Sequence, residues 1–261
     1  MAPKADISRY NRQTQFHGIG EEGQRRLLSA TVLVLGCGGL GSHVAENLAR
    51  AGVGRLILVD RDVVELSNIH RQGLFDERDA EAKTPKAEAA ATRLARINST
   101  IKIETKVLNV NRDNIEELVR AADLVVDGTD NMETRYLLNE TCVKRGIPWV
   151  YGGVMGATGM IMAIMPGKGP CLSCLFPVAP APGELPSMAE VGVINTIPAV
   201  VGAIQATEAQ RILITGEPSA EGMLNIDLWS GDCFRTEASC DPSCPVCSES
   251  ARKAAKGVES C

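Results

Sequence analysis

The chain has 261 residues, 44% of them apolar, and a formal charge of −5 at neutral pH. That length can bury a sizeable core as one large domain or two small ones, and the acidic balance argues against a nucleic-acid binder. No run of eighteen apolar residues occurs, so no membrane span is expected, and the opening MAPKADISRYNRQTQF lacks the apolar segment of a secretory signal. Nine cysteines, five of them outside any pair, fit a reducing, cytoplasmic setting better than a disulfide framework.

In chain order, the polar segment RYNRQTQF reads from its composition as a solvated arm, with an arm that reaches a neighbouring subunit as the alternative. A helix is expected from Glu21 to Ser29. Thr31–Leu35 is a β-rich apolar run of the kind buried on both faces of a sheet. It runs into Gly36, Gly38, Gly39 and Gly41, after which Leu40, Val44 and Leu48 recur at helical spacing. Gly52 and Gly54 end that helix, and a second apolar strand, Leu56–Val59, stops at Asp60. Strand, glycine turn, helix, strand and acid make half of a Rossmann-type nucleotide site. Glycines let backbone approach a phosphate, the helix N-terminus offers unpaired N–H groups, and the acid can accept from ribose hydroxyls. The competing reading is that the glycines only permit tight helix–strand packing.

The loop RDVVELSNIHRQGLF follows at the carboxyl end of a strand, where open α/β sheets hold ligands. Arg71 can fork onto phosphate oxygens and Asn68 can donate to them, while His70 is equally well a packed or solvated loop residue. Pro85 suits a first helical position and leads an alanine-rich helix. Lys86 would then sit at the unfavourable end of the helix dipole, as an exposed lysine or as a cation sharing an anion with the helix. A half-buried strand over Ile101–Val107, a helix over 112–121 and a strand over Asp123–Val126 lead into Asp127-Gly128-Thr129-Asp130-Asn131. Asp130 is a candidate magnesium ligand and Asp127 a candidate partner for loop amides. A helix over Met132–Arg145 and a strand over Pro148–Tyr151 follow, with Trp149 and Tyr151 expected in the core.

From Gly152 the sequence suits antiparallel strands, with a strand over Met160–Met165. Cys171 and Cys174 form one C-x-x-C pair and Cys244 and Cys247 another, a strong signal for a tetrahedral, closed structural zinc site. Redox dithiols are the alternative, and Cys240 is a possible substitute ligand. Between the pairs lie a proline-rich loop, a helix from Asn195 to about Ile214, and a strand pair over Met223–Trp229 and Cys233–Thr236. The final ARKAAKGVESC reads as a mobile tail.

Six motifs occur in order: RYNRQ at 9–13, GCGGLG at 36–41, D-x-D-x-V-x-x-S-N-x-x-R-Q ending at Gln72, TPK at 84–86, GTDN with Arg135, and the paired C-x-x-C. Over residues 9 to 247 the chain thereby resembles the MoeB/ThiF/HesA family of ubiquitin-activating-enzyme-like adenylyltransferases. The resemblance implies an α/β fold: a Rossmann-like, mostly parallel sheet flanked by helices, extended by antiparallel strands and carrying a four-cysteine zinc site. It implies one domain, with a nucleotide-binding half to about residue 151, a carrier-binding and zinc half over 152–247, and a flexible tail over 248–261. Asp60 would bind the ATP ribose, and Gly36, Gly38, Gly39 and Gly41 would face the phosphates. Asn68, Arg71 and Lys86 would grip those phosphates, and Asp130 would hold Mg2+. Arg12 would arrive from the other subunit of a homodimer, and Cys171, Cys174, Cys244 and Cys247 would bind Zn2+. The implied reaction is adenylation of the C-terminal Gly-Gly carboxylate of a ubiquitin-like sulfur carrier, with Arg12, Arg71, Lys86 and Asp130 as the catalytic set.

One departure stands out. Met188 occupies the position where some family members carry a reactive cysteine, and no cysteine lies between Cys174 and Cys233. The chain is therefore expected to adenylate its carrier and leave sulfur delivery to a separate donor, with Cys233 or Cys240 as alternatives for that chemistry. The loop over 176–192 is expected to choose the carrier. An NAD-dependent dehydrogenase shares the glycine turn and ribose acid but accounts for neither the cysteine pairs nor TPK. A third reading is a nucleotide- or carrier-binding scaffold without turnover.

Overall fold

The computed structural model describes residues 7–181, 184 and 188–251. Eight strands form one sheet in the order β3-β2-β1-β4-β5-β6-β7-β8. They are β1 (Thr31–Leu35), β2 (Arg55–Val59), β3 (Lys102–Lys106), β4 (Leu124–Asp127), β5 (Trp149–Met155), β6 (Thr158–Ile164), β7 (Met223–Asp227) and β8 (Asp232–Thr236). The first five pair in parallel and the last three extend the sheet antiparallel. The expected fold class is the one observed.

The apolar run of β1 follows from its central place. Val32 and Val34 face one core layer and Leu33 and Leu35 the other, and all four are buried. The first layer is covered by α2 (Gly20–Ser29), α3 (Gly39–Ala51), α5 (Lys86–Ile97) and α10 (Thr196–Thr215). The second holds α6 (Ile115–Arg120), α7 (Met132–Arg145) and α8 (Leu172–Leu175), with Trp149 and Tyr151 buried as expected. Short helices α1 (Asn11–Thr14), α4 (Glu77–Glu81) and α9 (Met188–Val191) lie in the arm and in two loops.

Several elements differ from their expected form. The strand expected over Pro148–Tyr151 continues to Met155, because residues 149–155 pair along their whole length with β6. The helix expected over 112–121 begins only at Ile115, since Asn111 and Asn114 close a turn before it. Pro85 is the N-cap of α5 rather than its first helical residue, with an extended ψ of 132°. The N-terminal arm does not trail in solvent. Tyr10 is buried, its hydroxyl accepts from Asn98 Nδ2 at 2.9 Å, and Gln13 donates to Ala51 O and Gln24 Oε1. Gly52, the left-handed C-cap of α3 at φ 83°, makes room for that docking: a Cβ there would stand 2.4 Å from the Tyr10 ring. Ser248, at the start of the expected tail, is buried, and residues 252–261 lie outside the described residues.

The loops after β1 and β4 approach closely at glycines. A Cβ at Gly36 would stand 2.6 Å from Gly128 O, and one at Gly41 only 1.8 Å from Gly36 O. Gly41→Ala is expected to lower unfolding free energy by about 3 kcal/mol or more, since backbone must move to admit the methyl. Gly146→Ala, at φ 70° with open space around it, is expected to cost roughly 1–2 kcal/mol. Urea unfolding of both variants checks this, and a Gly41→Ala chain as stable as the wild type contradicts it.

Candidate nucleotide site and cysteine cluster

The parallel strands change direction of addition between β1 and β4, which is where doubly wound sheets open a crevice at their carboxyl ends. Gly36 and Gly41 are spent on packing against the Gly128 loop, so the packing explanation holds for these two. Gly38 and Gly39 are different. Gly38 is the N-cap of α3 without a side-chain cap, and the space where its Cβ would stand meets only Gln72 Nε2, at 3.6 Å. Gly39 packs toward the head of α10, where a Cβ would stand 3.3 Å from Pro198 Cβ. The open side of the turn is therefore at Gly38, beside the first N–H groups of a helix.

Asp60 follows β2, next to the turn. One carboxylate oxygen accepts from Cys37 N at 2.7 Å and the other from Asp62 N at 2.8 Å. Burial raises its pKa, while those amides and the nearby Lys86 charge pull the other way. Lys86 is buried, not a surface lysine, and its Nζ lies 3.1 Å from Asp62 Oδ2. The anion at the head of α5 is thus Asp62, a residue visible in the D-x-D spacing yet given no role by sequence reasoning. Cys37, within the turn, is fully buried, and desolvation first and the Asp60 charge second push its thiol well above the ordinary range. That thiol is no nucleophile.

Arg71 and Asn68 lie on the same loop, half-buried. Arg71 Nη1 donates to Ser67 O at 3.1 Å and Asn68 Nδ2 to Ser67 Oγ at 3.1 Å. His43 of α3 holds this loop through a 3.3 Å contact between its Nε2 and Arg71 O. Burial lowers the His43 pKa, which keeps the ring neutral at pH 7. Exposed His70 meets Arg71 Nη1 at 3.0 Å, as a solvated loop residue would.

On the β4 side, Asp127 is fully buried and accepts from Thr129 N, Thr129 Oγ1 and Arg135 Nε at 2.6–3.0 Å. Arg135 also donates to Thr129 O and Gly152 O, with its guanidinium 5.1 Å above the Tyr151 ring. Burial works against the Arg135 charge, but Asp127 holds its pKa above the ordinary value. Asp127 is a loop organiser, as expected, and Asp130 is left exposed three residues on. Arg12 lies apart from all of these. It is exposed, and its neighbour Gln13 is tied to Ala51 at the far end of α3, about 20 Å of helix from the glycine turn.

On the sheet's other face the four paired cysteines meet. Cys171 and Cys244 sulfurs are 3.6 Å apart, Cys174 and Cys247 3.3 Å, and all four lie within 4.8 Å of one another. Sulfurs about 3.8 Å apart are what tetrahedral bonds of about 2.3 Å to zinc require, whereas a disulfide needs about 2.05 Å. Burial pushes the Cys171 thiol up to about 11, and a divalent cation held among the four sulfurs would favour the thiolate. Asn139 of α7, fully buried, donates to Cys171 Sγ and Ser173 Oγ and accepts from Leu172 N. Sequence reasoning missed it; the one signal was a polar residue one helical turn after Arg135. Cys240 is exposed and outside the cluster. Cys233 sits on β8, the outermost strand and four strands from β4, about 19 Å across the sheet. It is remote from the crevice.

The ThiF family model matches residues 10–246. The chain is 42% identical over 244 residues to the SAMP-activating enzyme E1 of Haloferax volcanii, covering 93% of this chain and 89% of that protein. It is 40% identical over 252 residues to the sulfur carrier protein adenylyltransferase of Thermus thermophilus, covering 94% and 92% respectively. Among solved structures, E. coli MccB with ATP superposes with a TM-score of 0.76 at 26% identity, over 93% of this chain and 75% of that one.

The buried Asp127–Arg135 pair gives a direct test. Arg135→Met strands a buried carboxylate and is expected to cost about 3–5 kcal/mol. Adding Asp127→Asn removes that charge and is expected to restore part of the loss. Chemical unfolding of the two variants checks this; a double variant less stable than Arg135→Met contradicts it.

Proposed function

The chain belongs to the ThiF family, and from that premise we propose that it is an ATP-dependent adenylyltransferase acting on a small ubiquitin-like sulfur carrier. The observation that carries the reading is the meeting of the turn that opens at Gly38 with Asp60, buried Lys86 and the Asp130 loop at one switch point of the sheet. Gly36 and Gly41 serve that turn by shaping it. In this reading Asp60 accepts from the ATP ribose, and the N-terminus of α3 with Asn68, Arg71 and Lys86 binds the phosphates.

The carrier's C-terminal glycine carboxylate attacks the α-phosphorus. The bond from that phosphorus to the bridging oxygen breaks, pyrophosphate leaves with the electron pair, and the acyl-adenylate remains. The nucleophile is already an anion, so no proton has to be removed, and the site needs charge rather than a general base. Arg71 and Lys86 stabilise charge on the transferring group, and oriented N–H groups do so without reorganising. Asp130 would hold the Mg2+ that neutralises phosphate charge. Its exposure beside the buried Asp127 suits a carboxylate free to take a hydrated cation.

Arg12 completes the set from a second subunit of a homodimer. Its anchorage at the far end of α3 supports this, because a side chain there cannot reach its own chain's turn. Cys171, Cys174, Cys244 and Cys247 bind one Zn2+ as a closed structural site, in keeping with the sulfur spacing and the fixed Cys171 loop. Residues to about 151 serve the nucleotide, and 152–247 serve the carrier and zinc. Buried Cys37 and remote Cys233 give no thiol to the adenylate, which supports a separate sulfur donor.

ATP–pyrophosphate exchange that depends on a carrier ending in Gly-Gly tests the reaction; no exchange with any such carrier contradicts it. Arg12→Ala and Lys86→Ala are each expected to lower exchange far more than ATP affinity. Mixed in equal amounts and allowed to reassort, the two inactive variants are expected to recover about a quarter of wild-type exchange, since half the dimers hold one intact site. No recovery contradicts the shared site. Elemental analysis is expected to find one zinc per chain, and its removal by a chelator is expected to lower the melting temperature.

A further inference from the structure

Gln72 ends the S-N-x-x-R-Q stretch and has no part in the account above. It is only 3% exposed, and its Oε1 is completely enclosed without a hydrogen-bond partner among the described residues. Its Nε2 likewise makes no hydrogen bond among the described residues, and an idle donor on so buried a carboxamide is costly unless it meets an acceptor from outside the chain. Its Nε2 lies 3.6 Å from where a Cβ at Gly38 would stand, with no other heavy atom from elsewhere in the described chain within 4 Å of that point. The carboxamide therefore borders the opening that the missing Gly38 side chain leaves beside the N-terminus of α3.

The backbone that carries this side chain is held in place. Gln72 N donates to Asn68 O, Phe75 N to Gln72 O, and Leu74 and Phe75 on the same loop are buried. The contact of His43 with Arg71 O ties the adjacent residue to α3, the helix whose N-cap is Gly38. An amide beside the glycine turn can donate without carrying a charge into the core, which a lysine or arginine at this depth would do.

We infer that Gln72 is a direct ligand of the nucleotide, its Nε2 donating to an oxygen of the phosphate chain where that chain crosses Gly38. This rests on the nucleotide reading of the site. It adds to Asn68, Arg71 and Lys86 a neutral donor on the turn side of the phosphates.

The test uses the full chain and Mg–ATP, with Gln72→Met and Gln72→Leu as isosteric apolar variants. Two quantities are measured: the melting temperature without nucleotide and ATP affinity by calorimetry. Removal of an unpartnered amide is expected to leave the melting temperature unchanged or raised, while ATP binding weakens about ten- to a hundredfold. Wild-type affinity in either folded variant overturns the inference and leaves the nucleotide reading standing. A lower melting temperature without nucleotide also overturns it, because the side chain then serves the fold. Absence of ATP binding by the wild-type chain overturns both.

Discussion

The structure depends on how closely two loops approach at the carboxyl edge of the sheet. Gly36, Gly41 and Gly128 let backbone meet backbone where side chains would force a gap, and the buried Asp127–Arg135 pair fixes the second loop in that position. The approach does two things at once. It closes the core between β1 and β4, and it leaves open space beside Gly38 at the N-terminus of α3. A conformational constraint on three glycines thus shapes the turn that opens at a fourth.

Helix α7 carries the consequences across the molecule. Arg135 grips Thr129 O and Gly152 O at the loop after β4, and Asn139 one turn later holds the Cys171 loop. Between them the Tyr136 hydroxyl donates to Phe176 O at 2.7 Å, at the start of the loop that runs toward α9. One helix therefore sets the loop after β4, the sulfur cluster and the root of the proline-rich loop relative to one another. Buried polar groups of this kind are worth most when every partner is satisfied.

The fold was largely legible in the sequence because its signals were local. Thr31–Leu35, the glycine turn, Met132–Arg145 and the two C-x-x-C pairs each announced themselves by periodicity or spacing. What stayed hidden was relational. The burial of Lys86 depends on Asp62 across an antiparallel bridge between Val63 and Pro85, and the docking of the arm depends on Tyr10 meeting Gly52 and Asn98. The extra length of β5 comes from pairing with β6, not from its own composition. Which glycines pack and which remain open could not be read from G-x-G-x-x-G, because the deciding neighbour, Gly128, lies nearly ninety residues downstream. The same holds for Asn139 and Gln72, ordinary polar residues until the fold places one against a sulfur loop and the other beside Gly38.

The central claim is that this edge of the sheet joins AMP to a carboxylate. The most direct measurement is the intact mass of a Gly-Gly-ending carrier after incubation with the protein and either Mg–ATP or NAD. The account predicts an AMP adduct on the C-terminal glycine with ATP alone, lost when that carboxylate is amidated. An adduct on an amidated carrier, or none on any carrier while NAD binds tightly, would contradict it.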